Sequence, residues 1–115
     1  MYSIEVTVKP FKLNDVREAL ADLGVGGMTV TETLRQVTPK RPIQRFSDLE
    51  NRSYEFVPYV HVQVVVSDWL VESVVEALCL HGSSGKLDDS SISVSPVESV
   101  VRIRTGDRND DALST

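Results

Sequence analysis

Cysteine and long apolar runs are almost absent from this chain. Cys79 is the single cysteine among 115 residues, which excludes an intrachain disulfide and a cysteine-rich metal site. No apolar run approaches the roughly 20 residues that a membrane-spanning helix needs. The N-terminus alternates polar and apolar residues and does not form the apolar block of a signal peptide. These absences predict a protein that is not membrane-embedded and that stays in the cytoplasm.

Positive charge is also scarce. The chain has 12 Lys and Arg against 17 Asp and Glu, a net charge of -5, and this acidity argues against broad affinity for nucleic acid or acidic membranes. Aromatic residues make up only 6% of the chain. The strands that would stack bases in an RNA-binding sheet carry Ser, Thr, Val, His and Gln instead. We therefore expect no nucleic-acid partner.

The apolar residues that are present predict strands and helices in alternation. Period-two patterns over residues 2–8 and 59–66 and a run rich in β-branched residues over 29–37 predict three strands, and residues 91–95 and 99–105 predict two short ones. A helix from Leu13 to a stop at Gly24 is expected, with Asn14 or Asp15 as its cap. A second helix follows a Ser67-Asp68 cap and buries a face of Val71, Val74, Val75, Leu78 and Cys79.

An internal repeat defines the fold. The helix segment at residues 16–20 resembles the segment at residues 74–78, and Gly24 and Gly27 correspond at the same spacing to Gly82 and Gly85. Two β-α-β units in sequence predict a ferredoxin-like β-α-β-β-α-β domain of α+β class, a four-stranded antiparallel sheet with both helices on one face. The open face would carry polar side chains. We expect this domain to span residues 1–105, followed by a mobile polar tail at residues 106–115.

Two loops stand out. The segment between the second and third strands, residues 38–58, is far longer than a hairpin requires. It combines basic residues with apolar and aromatic ones that a purely solvated loop would not need, which favours docking on a partner. The turn "SSGKLDDSSISVSP" has the glycine and lysine of a phosphate-binding loop. Its centre, Asp88-Asp89-Ser90-Ser91, is acidic and polar; two adjacent carboxylates alone are a weak metal signal.

The segments "KPFKLNDVREALADLGVGGMTVTE" and "VSPVESVVRIRTGD" strongly resemble the first β-α-β unit and the C-terminal strand of the PII signal-transduction proteins. The resemblance covers nearly the whole chain. It implies a homotrimer with an adenine-nucleotide pocket between neighbouring subunits. Three loops would build each pocket: a T-loop at about residues 38–58, a B-loop at about 82–91 and the C-terminal loop. It also implies a regulator without catalytic residues.

Residue by residue, the resemblance assigns a nucleotide-binding set. Met28, Thr29 and Val65 match the adenine end, whereas Thr7 and Gln63 match pocket positions but differ in type. At the phosphate end Arg102 and Arg104 are retained, and a strand would place both on one face. The B-loop contributes Gly85, Lys86, Leu87, Asp88, Asp89 and Ser90. The T-loop candidates for binding an anion or a partner are Thr38, Lys40, Arg41, Arg45, Phe46 and Tyr54.

The departures from the family pattern change the expected ligands. The B-loop lacks two glycines and a lysine of the family, and Asp88 adds negative charge, so we expect ADP or AMP to bind more tightly than ATP. Val37, Thr38 and Pro39 replace a glycine, an arginine and a glutamine of the family, of which the glutamine helps to hold Mg-ATP and 2-oxoglutarate. Tyr59 replaces a lysine that pairs with 2-oxoglutarate. No structural metal is expected.

These departures favour a divergent branch associated with inorganic carbon and carboxysomes. Its members bind adenylates together with bicarbonate, and the partner would be a bicarbonate or other membrane transporter. Three alternatives stay open: an orthodox nitrogen-regulatory PII protein that senses ATP, ADP and 2-oxoglutarate, a regulator of metal efflux, and a small phosphate-ester hydrolase. The hydrolase lacks a convincing nucleophile and base beside the arginines.

Overall fold

The structure is a computed structural model and describes residues 1–37, 55–85 and 90–113. Its strands and α-helices are β1 (Tyr2–Val8), α1 (Leu13–Asp22), β2 (Thr29–Val37), β3 (Glu55–Val66), α2 (Val71–Gly82) and β4 (Ile92–Pro96). Short 3-10 helices lie at Pro10–Lys12, Asp68–Leu70 and Asn109–Ala112. The predicted β-α-β-β-α-β order is confirmed. No helix in the described ranges has the length and apolar character needed to cross a membrane.

The four strands form one antiparallel sheet in the order β2-β3-β1-β4. Alternation puts Ile4, Val6 and Val8 of β1 on the same side as the even-numbered valines of β3, because directly paired residues such as Val6 and Val62 share a face. The two helices cover this side with Val16, Leu20, Val74 and Leu78, and all of these side chains are buried. The apolar core therefore lies between the helices and one face of the sheet, as predicted.

The helices begin differently from the sequence prediction. Both are entered through 3-10 turns, at Pro10 and at Asp68, and no side chain caps either start. Pro10 favours such a turn because its fixed φ suits the first helical position. The predicted caps Asn14 and Asp15 lie inside α1, and the Ser67 hydroxyl donates to Asp110 Oδ1 at 2.9 Å instead of capping α2.

The strand β3 begins at Glu55, earlier than the predicted start at residue 59. Its last pair with β1 joins Val8 to Val60, whereas its pairs with β2 continue to Val37 and Glu55. Pro58 is tolerated there because β2 is its only neighbour among the described strands, so the other side of β3 makes no ladder hydrogen bonds with them at this point. A two-stranded ribbon thus leaves the core and leads into residues 38–54, which lie outside the described residues.

The predicted strand at residues 99–105 is wrong. Val101 forms only an isolated bridge with Arg108, and the chain turns between them, with Gly106 at a φ of 75° and its N–H donating to the Arg102 carbonyl at 2.7 Å. The alternation of apolar and polar residues predicted a strand, but the turn at Gly106 folds this segment back on itself. Residues 109–112, expected to belong to a mobile tail, form a 3-10 helix with Ala112 buried.

The cysteine differs from prediction as well. Cys79 was expected in the buried stripe of α2, but its side chain is exposed. Val74 and Leu78 are the residues of the predicted α2 face that are fully buried, and Cys79, one step further round the helix, lies outside their stripe.

Candidate functional site

The open face of the sheet brings together three residues predicted for a nucleotide pocket: Thr29 and Val65 of the adenine end, and Gln63. Thr29 of β2 is paired with Gln63 of β3, so their side chains share this face. The Gln63 amide donates to Ser3 Oγ at 3.1 Å, and Ser3 is paired with Val65. Met28, immediately before β2, packs partly buried against the core. Thr29, Gln63, Val65 and Met28 therefore occupy neighbouring positions at one end of the sheet.

A second polar cluster lies further along the same face. Thr7 of β1 is paired with His61 of β3, and its hydroxyl lies 3.4 Å from His61 Nδ1. The other ring nitrogen, Nε2, lies 3.8 Å from Glu5 Oε1. His61 is thus held between a hydroxyl and a carboxylate, and the open face is polar across β1 and β3, as the alternation predicted.

A cavity of about 280 Å³ lies beside this cluster. Two predicted site residues, Thr7 and Ser90, line it together with residues that the sequence analysis did not select, Thr33, Leu34, Arg35 and Ser91. Thr33 and Arg35 follow Thr29 at period two on β2, so the alternation was sufficient to place them on the open face. What the sequence could not supply was the register that brings them next to Thr7 and Ser90.

Tyr59 is flanked by two cations near this cavity. The Lys9 ammonium lies 5.9 Å and the Arg35 guanidinium 5.7 Å from the centre of the Tyr59 ring, both within cation–π range. Tyr59 occupies the position where the family resemblance implied a lysine. The positive charge at the base of the ribbon therefore comes from Lys9, directly after β1, and from Arg35 of β2.

The two arginines predicted to hold phosphate are not on one face of a strand. The Arg102 Nη2 donates to the Ala112 carbonyl at 3.1 Å, and its Nη1 lies 4.0 Å from Asp107 Oδ2. Arg104 is exposed in the turn that follows. Both side chains come from a segment that turns, so the predicted strand that would have placed them on one face is not formed.

The first half of the predicted B-loop is described. Gly85 has a φ of 133°, a conformation that side-chain-bearing residues rarely adopt, and its N–H donates to Ser83 Oγ at 3.3 Å. The predicted site residues outside the described ranges are Lys86, Leu87, Asp88, Asp89, Thr38, Lys40, Arg41, Arg45, Phe46 and Tyr54. Within the described ranges no group of three His, Cys, Asp or Glu residues is placed to hold a metal ion.

Comparison with known proteins bears on this arrangement directly. A family model described as Nitrogen regulatory protein P-II matches residues 1–107. Curated relatives named Nitrogen regulatory protein P-II, from Haemophilus influenzae and Azospirillum brasilense, are each 42% identical over 113 residues, covering 98% of this chain and 100% of the relative. Nitrogen regulatory protein P-II 1 of Escherichia coli is 40% identical over the same span. The chain belongs to the P-II family.

P-II membership confirms the family inferred from the two sequence motifs and agrees with the four-stranded sheet and paired helices. It makes this chain a regulatory protein. The names of the relatives favour the nitrogen-regulatory alternative over the inorganic-carbon branch, for which the comparisons give no support.

Proposed function

We propose that this P-II protein is a nitrogen-regulatory sensor. In this proposal it binds adenine nucleotides between the subunits of a homotrimer in the cytoplasm and signals to a protein partner through residues 38–58. The observation that carries the proposal is the similarity over the full length of relatives that are named nitrogen regulatory proteins. The T-loop candidates, including Lys40, Arg41 and Arg45, would supply the partner-binding surface.

The geometry of the open face supports nucleotide binding. Thr29 and Gln63 offer a hydroxyl and an amide at neighbouring positions, and Val65 adds an apolar contact beside them. Thr7 and Ser90 line the cavity at the other end of this row. The end with both apolar and polar side chains suits the base of a nucleotide, and the end rich in hydroxyl groups suits its phosphates.

The residues proposed to contact the phosphates favour nucleotides with fewer phosphates. Lys86, Arg102 and Arg104 would contact the phosphates, but Ser91 replaces a family lysine and Asp88 adds a negative charge. Each change weakens the attraction for the most distal phosphate. ADP or AMP is therefore the proposed ligand, with ATP bound more weakly.

Restoring the lost lysine tests this proposal. Because Ser91 lines the cavity beside Thr7 and Arg35, the Ser91→Lys variant should place an ammonium near the terminal phosphate of ATP. We expect the ratio of ATP to ADP affinity to rise by about fivefold, corresponding to about 1 kcal/mol for a partly exposed charge pair. Isothermal titration calorimetry of the wild type and the variant with both nucleotides measures this ratio.

Ser95→Lys is the matched control. It introduces the same charge on β4, where Ser95 is exposed and paired with Ser3, about 13 Å along the chain at strand spacing. The control should leave the ratio of the two affinities unchanged. Equal ratios in the wild type and in Ser91→Lys, or a wild type that binds ATP more tightly than ADP, would contradict the proposed preference.

A second candidate rests on the surroundings of Tyr59. Lys9 and Arg35 both lie within 6 Å of its ring. They supply positive charge beside the position where Tyr59 replaces the lysine that pairs with 2-oxoglutarate. Such a cluster suits a small anion, and bicarbonate was the anion expected from the sequence. This candidate differs from the nitrogen-regulatory one in its co-ligand and in its partner, a carbon-acquisition transporter.

The two candidates are separated by titrating the nucleotides in the presence of 2-oxoglutarate and, in a parallel series, of bicarbonate. A rise in nucleotide affinity with 2-oxoglutarate supports the nitrogen-regulatory function. A rise with bicarbonate alone supports the second candidate and removes the first. Both series use the same ionic strength, because exposed charge interactions weaken as salt is added.

A further inference from the structure

The guanidinium of Arg102 already has partners within the chain. Its Nη2 donates to the Ala112 carbonyl at 3.1 Å, and its Nη1 forms an ion pair with Asp107 Oδ2 at 4.0 Å. About one third of the side chain is exposed. Both partners belong to residues 107–113, which we call the C-terminal segment, and they approach the planar group that a phosphate would use.

The C-terminal segment is folded against the body of the protein. The Arg102 N–H donates to the Asp107 carbonyl at 2.9 Å, and the Asn109 N–H donates to the Val100 carbonyl at 2.8 Å. Gly106, at a φ of 75°, makes the reversal between these two stretches possible. The 3-10 helix Asn109–Ala112 that follows has Ala112 buried, so the carbonyl that accepts from Arg102 is held in place.

One side-chain hydrogen bond ties this segment to a distant part of the fold. Ser67 lies at the junction of β3 and α2 and is only 6% exposed, and its hydroxyl donates to Asp110 Oδ1 at 2.9 Å. The acceptor is a carboxylate, and hydrogen bonds to ionised groups are stronger than neutral ones. This bond links the β3–α2 junction to the C-terminal segment. It holds in place the 3-10 helix whose Ala112 carbonyl accepts from Arg102.

A phosphate and the C-terminal segment make conflicting demands on Arg102. Phosphate oxygens bind the guanidinium through the same N–H groups that Ala112 engages. The Asp107 carboxylate, 4.0 Å from the guanidinium, would lie beside the phosphate, and like charges repel. Full engagement of a phosphate by Arg102 therefore requires the segment to move away.

We propose that the C-terminal segment competes with nucleotide phosphate for Arg102 and that Ser67 and Asp110 are the positioning residues that hold it in the competing position. The inference rests on the nucleotide binding proposed above. Because binding and docking are linked equilibria, nucleotide must loosen the segment by the same factor by which the docked segment weakens nucleotide binding. Phosphate binding at Arg102 would thereby change how tightly the C-terminal segment is docked.

The competition is tested by calorimetric titration of ADP into four proteins: the wild type, Asp110→Ala, Asp110→Asn and Asp111→Ala. Asp110→Ala removes the acceptor for Ser67 and should tighten ADP binding about three- to tenfold, the range expected for the net contribution of one hydrogen bond to an exposed side chain. Asp111→Ala removes the same charge from an exposed neighbour in the same 3-10 helix. Asp110→Asn keeps an oxygen acceptor and should restore most of the wild-type affinity.

Hydrogen exchange supplies a readout that does not depend on affinity. Added ADP should speed the exchange of the Asn109 and Leu113 amides in the wild type. The Asn109 amide donates to the Val100 carbonyl outside the segment, and the Leu113 amide donates to the Asp110 carbonyl within it. Asp110→Ala should speed them without nucleotide, whereas Asp111→Ala should not. Slower exchange with ADP would mean that the segment is part of the nucleotide site, and it would overturn the competition.

The outcomes also separate this inference from the proposed function. Wild type that binds ADP with the same affinity as Asp110→Ala overturns the competition and leaves nucleotide sensing intact. An Asp110→Ala variant that binds ADP more weakly than Asp111→Ala also overturns it. Absence of binding in all four proteins removes both proposals, while binding by Asp110→Ala alone supports the competition.

Discussion

A single glycine ends α1 through a specific hydrogen-bond pattern. Gly24 has a φ of 82°, and its N–H donates to the Ala21 carbonyl at 3.0 Å while the Val25 N–H donates to the Leu20 carbonyl at 3.0 Å. These two bonds form a Schellman motif, which satisfies carbonyls that the helix itself leaves open. Gly24 is therefore required by backbone geometry, because no atom lies within 4 Å of where its Cβ would be.

Replacing this glycine should destabilise the protein without creating a clash. Gly24→Ala forces a Cβ into the left-handed region, and we expect the free energy of unfolding to fall by about 1 to 2 kcal/mol. Urea denaturation followed by circular dichroism measures the change. Gly27→Ala is the control, since Gly27 also has open space but no positive φ, and its effect should stay within about 0.5 kcal/mol.

At the residue scale the sequence predicted the backbone requirement at Gly24 and the facing of the valines, because both follow from local geometry. It failed for Ser67 and Cys79. Serine before a helix is a typical cap, but the partner of Ser67 is Asp110, which lies far away in the chain. Interactions of that range depend on the completed fold, so no local pattern indicates them.

The sheet and α1 are held together by a few buried side chains. Leu20 is 2% exposed and lies in the core with Val16 of α1 and the valines of β1 and β3. Burial of such a side chain contributes its transfer free energy, and its removal also leaves a cavity in a densely packed interior. The packing of α1 on the sheet therefore depends strongly on this residue.

Leu20→Ala should lower the free energy of unfolding by about 2 to 5 kcal/mol. Leu80→Ala is the matched control, since Leu80 also lies on a helix but is 75% exposed, and its truncation should cost less than about 0.5 kcal/mol. Urea denaturation at one fixed protein concentration checks both, because oligomer stability depends on concentration. Similar losses in the two variants would contradict the described packing of α1.

At the element scale the sequence predicted the order of strands and helices and the exact span of β2. The final strand failed because alternation in residues 99–105 is a local signal, and whether it becomes a strand depends on a partner edge. Within the described residues Val101 pairs only with Arg108, and the side chain of Ile103 is fully exposed. The extension of β3 through Pro58 likewise required knowledge of which strand lies beside it.

Within the described residues, the helices cover the sheet on one side. Its open face carries the row of Thr7, Thr29, His61 and Gln63 together with Val65, and the candidate nucleotide residues lie along it. A polar face of this kind is compatible with a wet subunit interface, which fits the trimer proposed for this P-II protein. The sequence predicted the composition of this face, but the register between strands was needed to locate the cavity.

Native mass spectrometry of the protein with added ADP tests the central claim most directly, because it reports subunit number and nucleotide number together. The account predicts a species of about three times the 12.8 kDa chain mass that gains up to three ADP molecules as the nucleotide concentration rises. A single chain without nucleotide at millimolar ADP, or a trimer that never gains ADP, would contradict it.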